Sequence, residues 1–362
     1  MAHTIEIMGR ASLDKELPTE ERVRRAVSRV TGIPASELPA RSLAVHASAR
    51  SYWRVGTAGR SHVVMVMLED AGPDEVTKSA MRGGLPFVNL QRYLKRIGVR
   101  VPEIFAWYEK DHLLVLEDLG DTTLRALALA GAPLDPLYEN AIDQLAWMHA
   151  TAEREPDPEC IAFHRSFDYD LFHWELMHFV EWGLEQWKGR RLSSAEATIV
   201  GRHFDAICRA LEAEPKVFTH RDYQSRNLLV LEDGHQVVID FQDALLGPRA
   251  YDLVALLRDS GVPLPQPFID RILRRYLDRL ACLGGPRIAH DALRETFDLL
   301  TVQRKLKDAG RYVFIERTKG KGGFLDFAPT ALGYVVEAFA RRPDLAELQE
   351  VLATHVPELA PS

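Results

Sequence analysis

The sequence predicts an α+β fold of two lobes, a small β-rich one at the N-terminus and a larger, mainly helical one after it. Three observations carry this. At 362 residues the chain exceeds what a single core usually supports. Apolar runs of β type cluster before Glu117, and beyond Asp121 the apolar residues recur mainly at helical spacing. The boundary falls near Glu117 to Asp121, giving lobes of 1–118 and 119–362.

In chain order, Thr19 to Val30 reads as an amphipathic helix with Val23, Ala26, Val27 and Val30 at helical spacing, ended by Gly32 and Pro34. Leu43 to Val55 and Ser61 to Leu68 are strand-like around Gly56 and Gly59. A helix at Pro86 to Ile97 completes a first lobe made of a leading helix, a sheet and one main helix. His112 to Leu116 is a further strand running into Glu117-Asp118-Leu119-Gly120. The aromatic stretch Asp168 to Trp182, read as a helix, buries Phe172, Leu176, Phe179 and Leu184 on one side and leaves Glu175, His178 and Trp182 on another. Core plus solvated face is the simplest account of that pattern.

With 46% hydrophobic and 27% charged residues the composition is that of an ordinary globular chain. A net charge of −7 argues against bulk attraction to nucleic acid or anionic lipid, so neither is an expected partner. Cys160, Cys208 and Cys282 are odd in number and widely spaced, as reduced packing thiols would be. No apolar run approaches the roughly 18–20 residues of a membrane span, and Met1 to Leu13 lacks a signal-peptide core. A cytoplasmic location is expected. Oligomeric state is left open.

The chemistry concentrates in His220-Arg221-Asp222-Tyr223-Gln224-Ser225-Arg226-Asn227 and Asp240-Phe241-Gln242-Asp243. Between them, Asn227 to Leu231 and Gln236 to Asp240 are β-type runs separated by Asp233-Gly234, a strong two-residue turn signal. With that turn, Glu232 pairs with His235 and Asn227 faces Asp240, their Cβ atoms about 4.5–5.5 Å apart. An amide oxygen and a carboxylate so placed can hold one Mg²⁺. Asp222 on the entering loop then lies where it can orient or accept the proton of an attacking hydroxyl. H-R-D-x-x-x-x-N is the kinase catalytic-loop pattern, and Asp240-Phe241-Gln242 stands where protein kinases have D-F-G. The final glycine and a downstream A-P-E are absent, which favours a small-molecule kinase.

These blocks, with His46 to Val55, Leu116 to Asp121, Gly247 to Leu253 and Gln303 to Lys307, resemble the aminoglycoside phosphotransferase and choline kinase superfamily. Within it the chain is similar to the bacterial anomeric kinases of N-acetylmuramate and N-acetylglucosamine. The resemblance implies a protein-kinase-like fold with ATP between the lobes, adenine on the backbone of the Glu117 to Leu119 hinge, and phosphates under Ser48, Arg50 and Ser51. It implies a substrate wall on the helix carrying Glu175. Arg226 is a further candidate substrate contact, and Asp243 is placed to hydrogen-bond the catalytic loop or to touch substrate. Asp252 would pin the catalytic-loop backbone, and His220 would be packed rather than basic.

Val63 to Met67 carries no lysine where protein kinases have one, and Arg50, Arg54, Lys78 or Arg82 could replace its charge. The basic run Lys305, Lys307, Arg311, Arg317, Lys319 and Lys321 reads as a solvated helix and loop, with contact to a sugar-acid carboxylate or phosphate as the alternative. The reaction expected is ATP- and Mg²⁺-dependent transfer of the γ-phosphoryl group to a hydroxyl of a sugar-like acceptor. Aminoglycoside, choline or homoserine kinases of the same fold are the alternatives, then a nucleotide-binding pseudokinase acting as an interaction module.

Overall fold

A computed structural model of the chain describes residues 6–7, 17–43, 50–67 and 85–361. Ser48, Lys78 and Arg82 lie outside them. The chain forms two compact units, 1–81 with 100–121, and 82–99 with 122–361.

The first unit is built on a six-stranded sheet. Its strands are β1 (Glu6–Ile7), β2 (Ala40–Ser42), β3 (Arg50–Thr57), β4 (Arg60–Met67), β5 (Ile104–Tyr108) and β6 (Leu113–Glu117), in the order β1-β5-β6-β4-β3-β2. All neighbours pair antiparallel except β1 with β5. In the β3–β4 hairpin Gly56 has φ 115°, and a Cβ there would stand 2.4 Å from the Arg60 carbonyl oxygen, so only glycine fits. Helix α1 (Thr19–Thr31) lays Val23, Ala26 and Val27 on Val55, Val64, Ala106 and Val115. At roughly 1.5–3 kcal/mol for each large aliphatic side chain buried, this face does more for α1 than helix propensity does. The helix stops at Gly32, whose φ is 75° and whose N–H bonds Ser28 O at 2.8 Å.

The second unit begins with α2 (Pro86–Arg96), the helix expected in the first lobe. The reason is aromatic packing. Phe87 meets Phe241 at 4.7 Å between ring centroids, and Tyr93 meets Phe163 and Phe218 at 5.3 and 5.6 Å. Then come α3 (Leu124–Leu129), α4 (Leu134–Arg154), α5 (Tyr169–Phe179) running into a π-helical turn (Val180–Trp187), and α6 (Ser194–Ala213). Strand β7 (Lys216–Thr219) pairs with β10 (Leu245–Pro248), and β8 (Leu228–Val230) with β9 (Gln236–Val238). Helices α7 (Ala250–Leu257), α8 (Gln266–Cys282), α9 (His290–Lys319), α10 (Ala328–Phe339) and α11 (Ala346–His355) follow. The long α9 is central, packed by α5, α7 and α10. As the periodicity predicts, Phe172, Leu176, Phe179 and Leu184 are fully buried.

The β8–β9 hairpin corrects the expected register. Its loop has three residues, Glu232-Asp233-Gly234: Gly234 N–H bonds Leu231 O, Gly234 takes φ 83°, and Leu231 N–H bonds His235 O. This is a turn closed by a left-handed glycine, the usual three-residue alternative to a two-residue loop. Leu228 consequently pairs with Val238, and Asn227 lies opposite Ile239, whose N–H bonds Asn227 O at 3.0 Å, instead of opposite Asp240. Asn227 itself ends a 3₁₀ turn (Ser225–Asn227) before the strand starts.

Cys160 and Cys208 are buried and Cys282 is exposed, all as free thiols. Among the described residues no helix is long and apolar enough to cross a membrane.

Candidate active site

The loop from β7 to β8 is held from beneath by carboxylates. Fully buried Asp252, on α7, accepts the N–H of His220 at 2.7 Å on one oxygen and that of Arg221 at 2.9 Å on the other. Asp259 accepts both the N–H and the hydroxyl of Ser225. His220 receives the Asp222 N–H on Nδ1 at 3.2 Å, so its proton sits on Nε2, which donates to Ile239 O at 3.0 Å. Both ring nitrogens are thereby occupied. His220 is a structural brace, and Asp252 pins the loop backbone.

Two residues here adopt left-handed backbone, Arg221 at φ 77° and Asp240 at φ 64°. Such conformations are sparsely populated by residues with side chains and persist where the surroundings over-determine them.

Asp222 keeps 36% of its side chain exposed, yet one oxygen is already bound: Arg304 Nη2 donates to Oδ1 at 3.1 Å. Arg304 Nη1 donates to Arg221 O at 2.7 Å. Burial works against the charge of Asp222, but Arg304, Lys307, Arg221 and Arg226 outweigh it and hold the carboxyl well below the usual carboxylate range. Asp222 is therefore ionised throughout the neutral range. Arg226 is exposed and Asn227 is buried. Asn227 turns its amide nitrogen to Asp222 O at 2.8 Å, so the amide oxygen is the end that this bond leaves unused. Asp240 Oδ1 and Asp243 Oδ2 both accept from Gln242 Nε2 at 3.0 Å.

Glu175 departs from expectation. It is fully buried instead of facing solvent, with Oε2 accepting from Gln303 at 2.9 Å and Oε1 lying 3.6 Å from Arg221 Nη2. Buried against these partners it supports the loop and offers no open face to an acceptor. Half a turn away, an open groove of about 240 Å³ is lined by Trp174, Met177, His178, Glu181 and Glu185, with Trp174 38% and Met177 42% exposed. Burial and the nearby Arg311 and Lys307 push the His178 imidazole down to about 4, so it is neutral there.

The basic run also divides. Lys305 is buried and donates to Asp308 at 2.6 Å, and Lys307 lies 3.0 Å from the same carboxylate, whereas Arg317 and Lys319 are exposed as expected. A buried ammonium is tolerated only when paired, and the spacing of Lys305 and Asp308 on one helix face was the available sequence signal. Arg304 falls in the Gln303 to Lys307 block, but no spacing tied it to Asp222.

In the first unit Arg50 and Ser51 lie on β3, opposite Met67 and Val66. Arg54 is committed elsewhere: its guanidinium donates to Asp118 at 2.8 Å and to Asp121 at 2.7 Å. Those bonds raise its pKa further and take it out of the set that could replace the missing lysine. Glu117 closes β6, its carboxylate bound by Arg100 and by the Glu103 N–H, and Leu119 follows in non-repetitive backbone.

The profile of APH, the phosphotransferase enzyme family, matches residues 40–294. The N-acetylmuramate/N-acetylglucosamine kinase of Pseudomonas aeruginosa is 35% identical over 323 residues, covering 89% of each chain. The protein of that name from Pseudomonas putida is 34% identical over 322 residues, again 89% of each. Among solved structures, the choline kinase LicA from Streptococcus pneumoniae superposes with a TM-score of 0.58 at 13% identity, over 89% of this chain and 99% of that one, a likeness of fold. The chain is a small-molecule kinase that uses ATP and a hydroxyl acceptor, and it belongs to the phosphotransferase enzyme family.

Proposed function

We propose that the protein transfers the γ-phosphoryl group of ATP to the anomeric hydroxyl of N-acetylmuramate or N-acetylglucosamine. The observation that carries the chemistry is the loop in which an ionised Asp222 is fixed by Arg304, Asp252 holds the His220 and Arg221 N–H groups that precede it, and Asn227 braces its backbone. The acceptor class is supported by the printed names of relatives at 34–35% identity over most of the chain. The indole of Trp174, 38% exposed and backed by the His178 ring at 5.5 Å, offers a flat apolar face of the kind a pyranose ring stacks on.

Asp222, held charged, is a weak base, and its service is to receive the hydrogen of the acceptor hydroxyl and aim its oxygen. A loose transition state asks for little more than that. Asn227 and Asp240 fit a hard divalent cation, since both present oxygen and the amide nitrogen of Asn227 is turned away to Asp222 O. Magnesium held there would neutralise charge developing between the β- and γ-phosphates. Arg50, Ser48 and Ser51 are proposed for the phosphates, the backbone of Glu117 and Leu119 for adenine, and Arg226 and Asp243 for the acceptor. Glu175 is reassigned to support of Arg221.

The test is a product-resolved assay with N-acetylmuramate, N-acetylglucosamine, aminoglycosides and amino alcohols, run on the wild type and Asp222→Ala. The expected result is a sugar 1-phosphate from the wild type and a loss of about 10²-fold or more in the variant, with its melting temperature retained. Phosphorylation of another acceptor class overturns the substrate; full turnover by Asp222→Ala overturns the role.

A further inference from the structure

We propose that Arg304 is a positioning residue for phosphoryl transfer: from the middle of α9 its guanidinium fixes one oxygen of Asp222 and the carbonyl of Arg221, so that the second carboxylate oxygen is aimed at the acceptor hydroxyl. The inference rests on the reading of Asp222 given above and adds the group that orients Asp222 itself.

Arg304 is fully buried, and a guanidinium out of water is costly unless its donors are placed on acceptors. Its two terminal nitrogens are, while Nε is buried without a partner among the described residues. Nη1 donates to Arg221 O at 2.7 Å and Nη2 to Asp222 Oδ1 at 3.1 Å, and the planar group lies 4.6 Å from the ring centre of Tyr251. Two donors at fixed spacing thus span two consecutive residues of the loop, which a lysine could not reproduce. The span includes the left-handed Arg221, φ 77°, whose N–H is held by Asp252 at 2.9 Å. Arg221 is therefore gripped on its N–H by α7 and on its carbonyl by α9, and the strained backbone that presents Asp222 is set from both sides.

Neighbouring cations do not duplicate this. Lys305 and Lys307 both pair with Asp308, one turn further along the helix. Gln303 serves the same loop indirectly, through Glu175 and Arg221. With Oδ1 of Asp222 taken by Arg304, Oδ2 is the oxygen available to an acceptor, and the orientation of the carboxylate plane follows from the fork on α9.

Steady-state kinetics of Arg304→Met, Arg304→Lys, Asp222→Asn and the double variant Asp222→Asn/Arg304→Met test this, alongside melting temperature and equilibrium ATP titration. Arg304→Met is expected to lower kcat about 10²-fold, as a misplacement near 1 Å does, with ATP affinity unchanged. Arg304→Lys should restore part of the loss. The double variant should be slower than Asp222→Asn by no more than about twofold, because both changes remove one function.

A wild-type kcat in Arg304→Met, or a double variant that loses the whole Arg304 factor beyond Asp222→Asn, overturns the proposal. If Arg304→Met does not fold, a folded Arg304→Lys with wild-type kcat overturns it equally. Full turnover by Asp222→Asn would sink the site reading itself, whereas silence in the Arg304 arms alone sinks only this inference.

Discussion

Asp252 illustrates how much of the site one buried carboxylate decides. Both of its oxygens accept loop N–H groups, at 2.7 and 2.9 Å, and they lie where Arg221 must hold φ 77°. Asp252→Asn keeps the shape but offers one acceptor oxygen, so its amide N–H₂ confronts a backbone N–H. A buried donor left unmet costs about 1–3 kcal/mol, and the expected result is a urea midpoint lowered accordingly together with a reduced kcat. An unchanged midpoint would mean the loop holds its conformation without this carboxylate. At this scale legibility in the sequence followed contiguity. Asp222 and Asn227 stand five residues apart and could be read as a unit, while Arg304 reaches Asp222 across 82 residues and has no spacing rule to announce it. Glu175 departs from its expected face for a related reason. Helical periodicity places a residue on a face, but its partners Gln303 and Arg221 come from distant segments and turn that face inward.

Among the elements, the crossing of α5 and α9 is set by Gly310. A Cβ there would stand 2.9 Å from His178 O and 2.9 Å from Phe179 Cα, both backbone atoms that cannot move alone. Two effects compete in Gly310→Ala. Helix propensity favours alanine by about 1 kcal/mol, whereas overpacking against rigid backbone costs about 1–3 kcal/mol. Steric cost should win, giving a lower melting temperature and, because α9 carries Arg304, a lower kcat. A more stable variant would show that the helices can separate without penalty. Where apolar periodicity was strong, the element itself was legible, as in the α1 stripe with its Gly32 stop and the buried side of α5. The β8–β9 register was not: Asp233-Gly234 signals a turn, but a two-residue loop and a three-residue loop closed by a left-handed glycine share that signal. One residue of loop length moved Asn227 from Asp240 to Ile239.

At the scale of the whole molecule, the clustering of strand patterns before Glu117 and helical patterns after it foretold the β-rich and helical units. Pro86–Arg96 escaped that rule because its aromatic partners, Phe163, Phe218 and Phe241, come from far along the chain. A ligand that binds only native protein stabilises it by mass action, about 2.7 kcal/mol at a hundred times its Kd. ATP with Mg²⁺ should therefore raise the melting temperature by several degrees, and ATP with a chelator by less. The excess reports the cation, so it isolates Asp240 from the rest of the nucleotide site. In Asp240→Ala the Mg²⁺-dependent part of the shift is expected to vanish while the chelator-insensitive part survives, because the change removes the carboxylate proposed for the cation, together with its bond from Gln242, and none of the groups proposed for adenine or the phosphates. A full Mg²⁺-dependent shift in Asp240→Ala would move the cation to other oxygen ligands and leave the motif's second aspartate as a brace for Gln242.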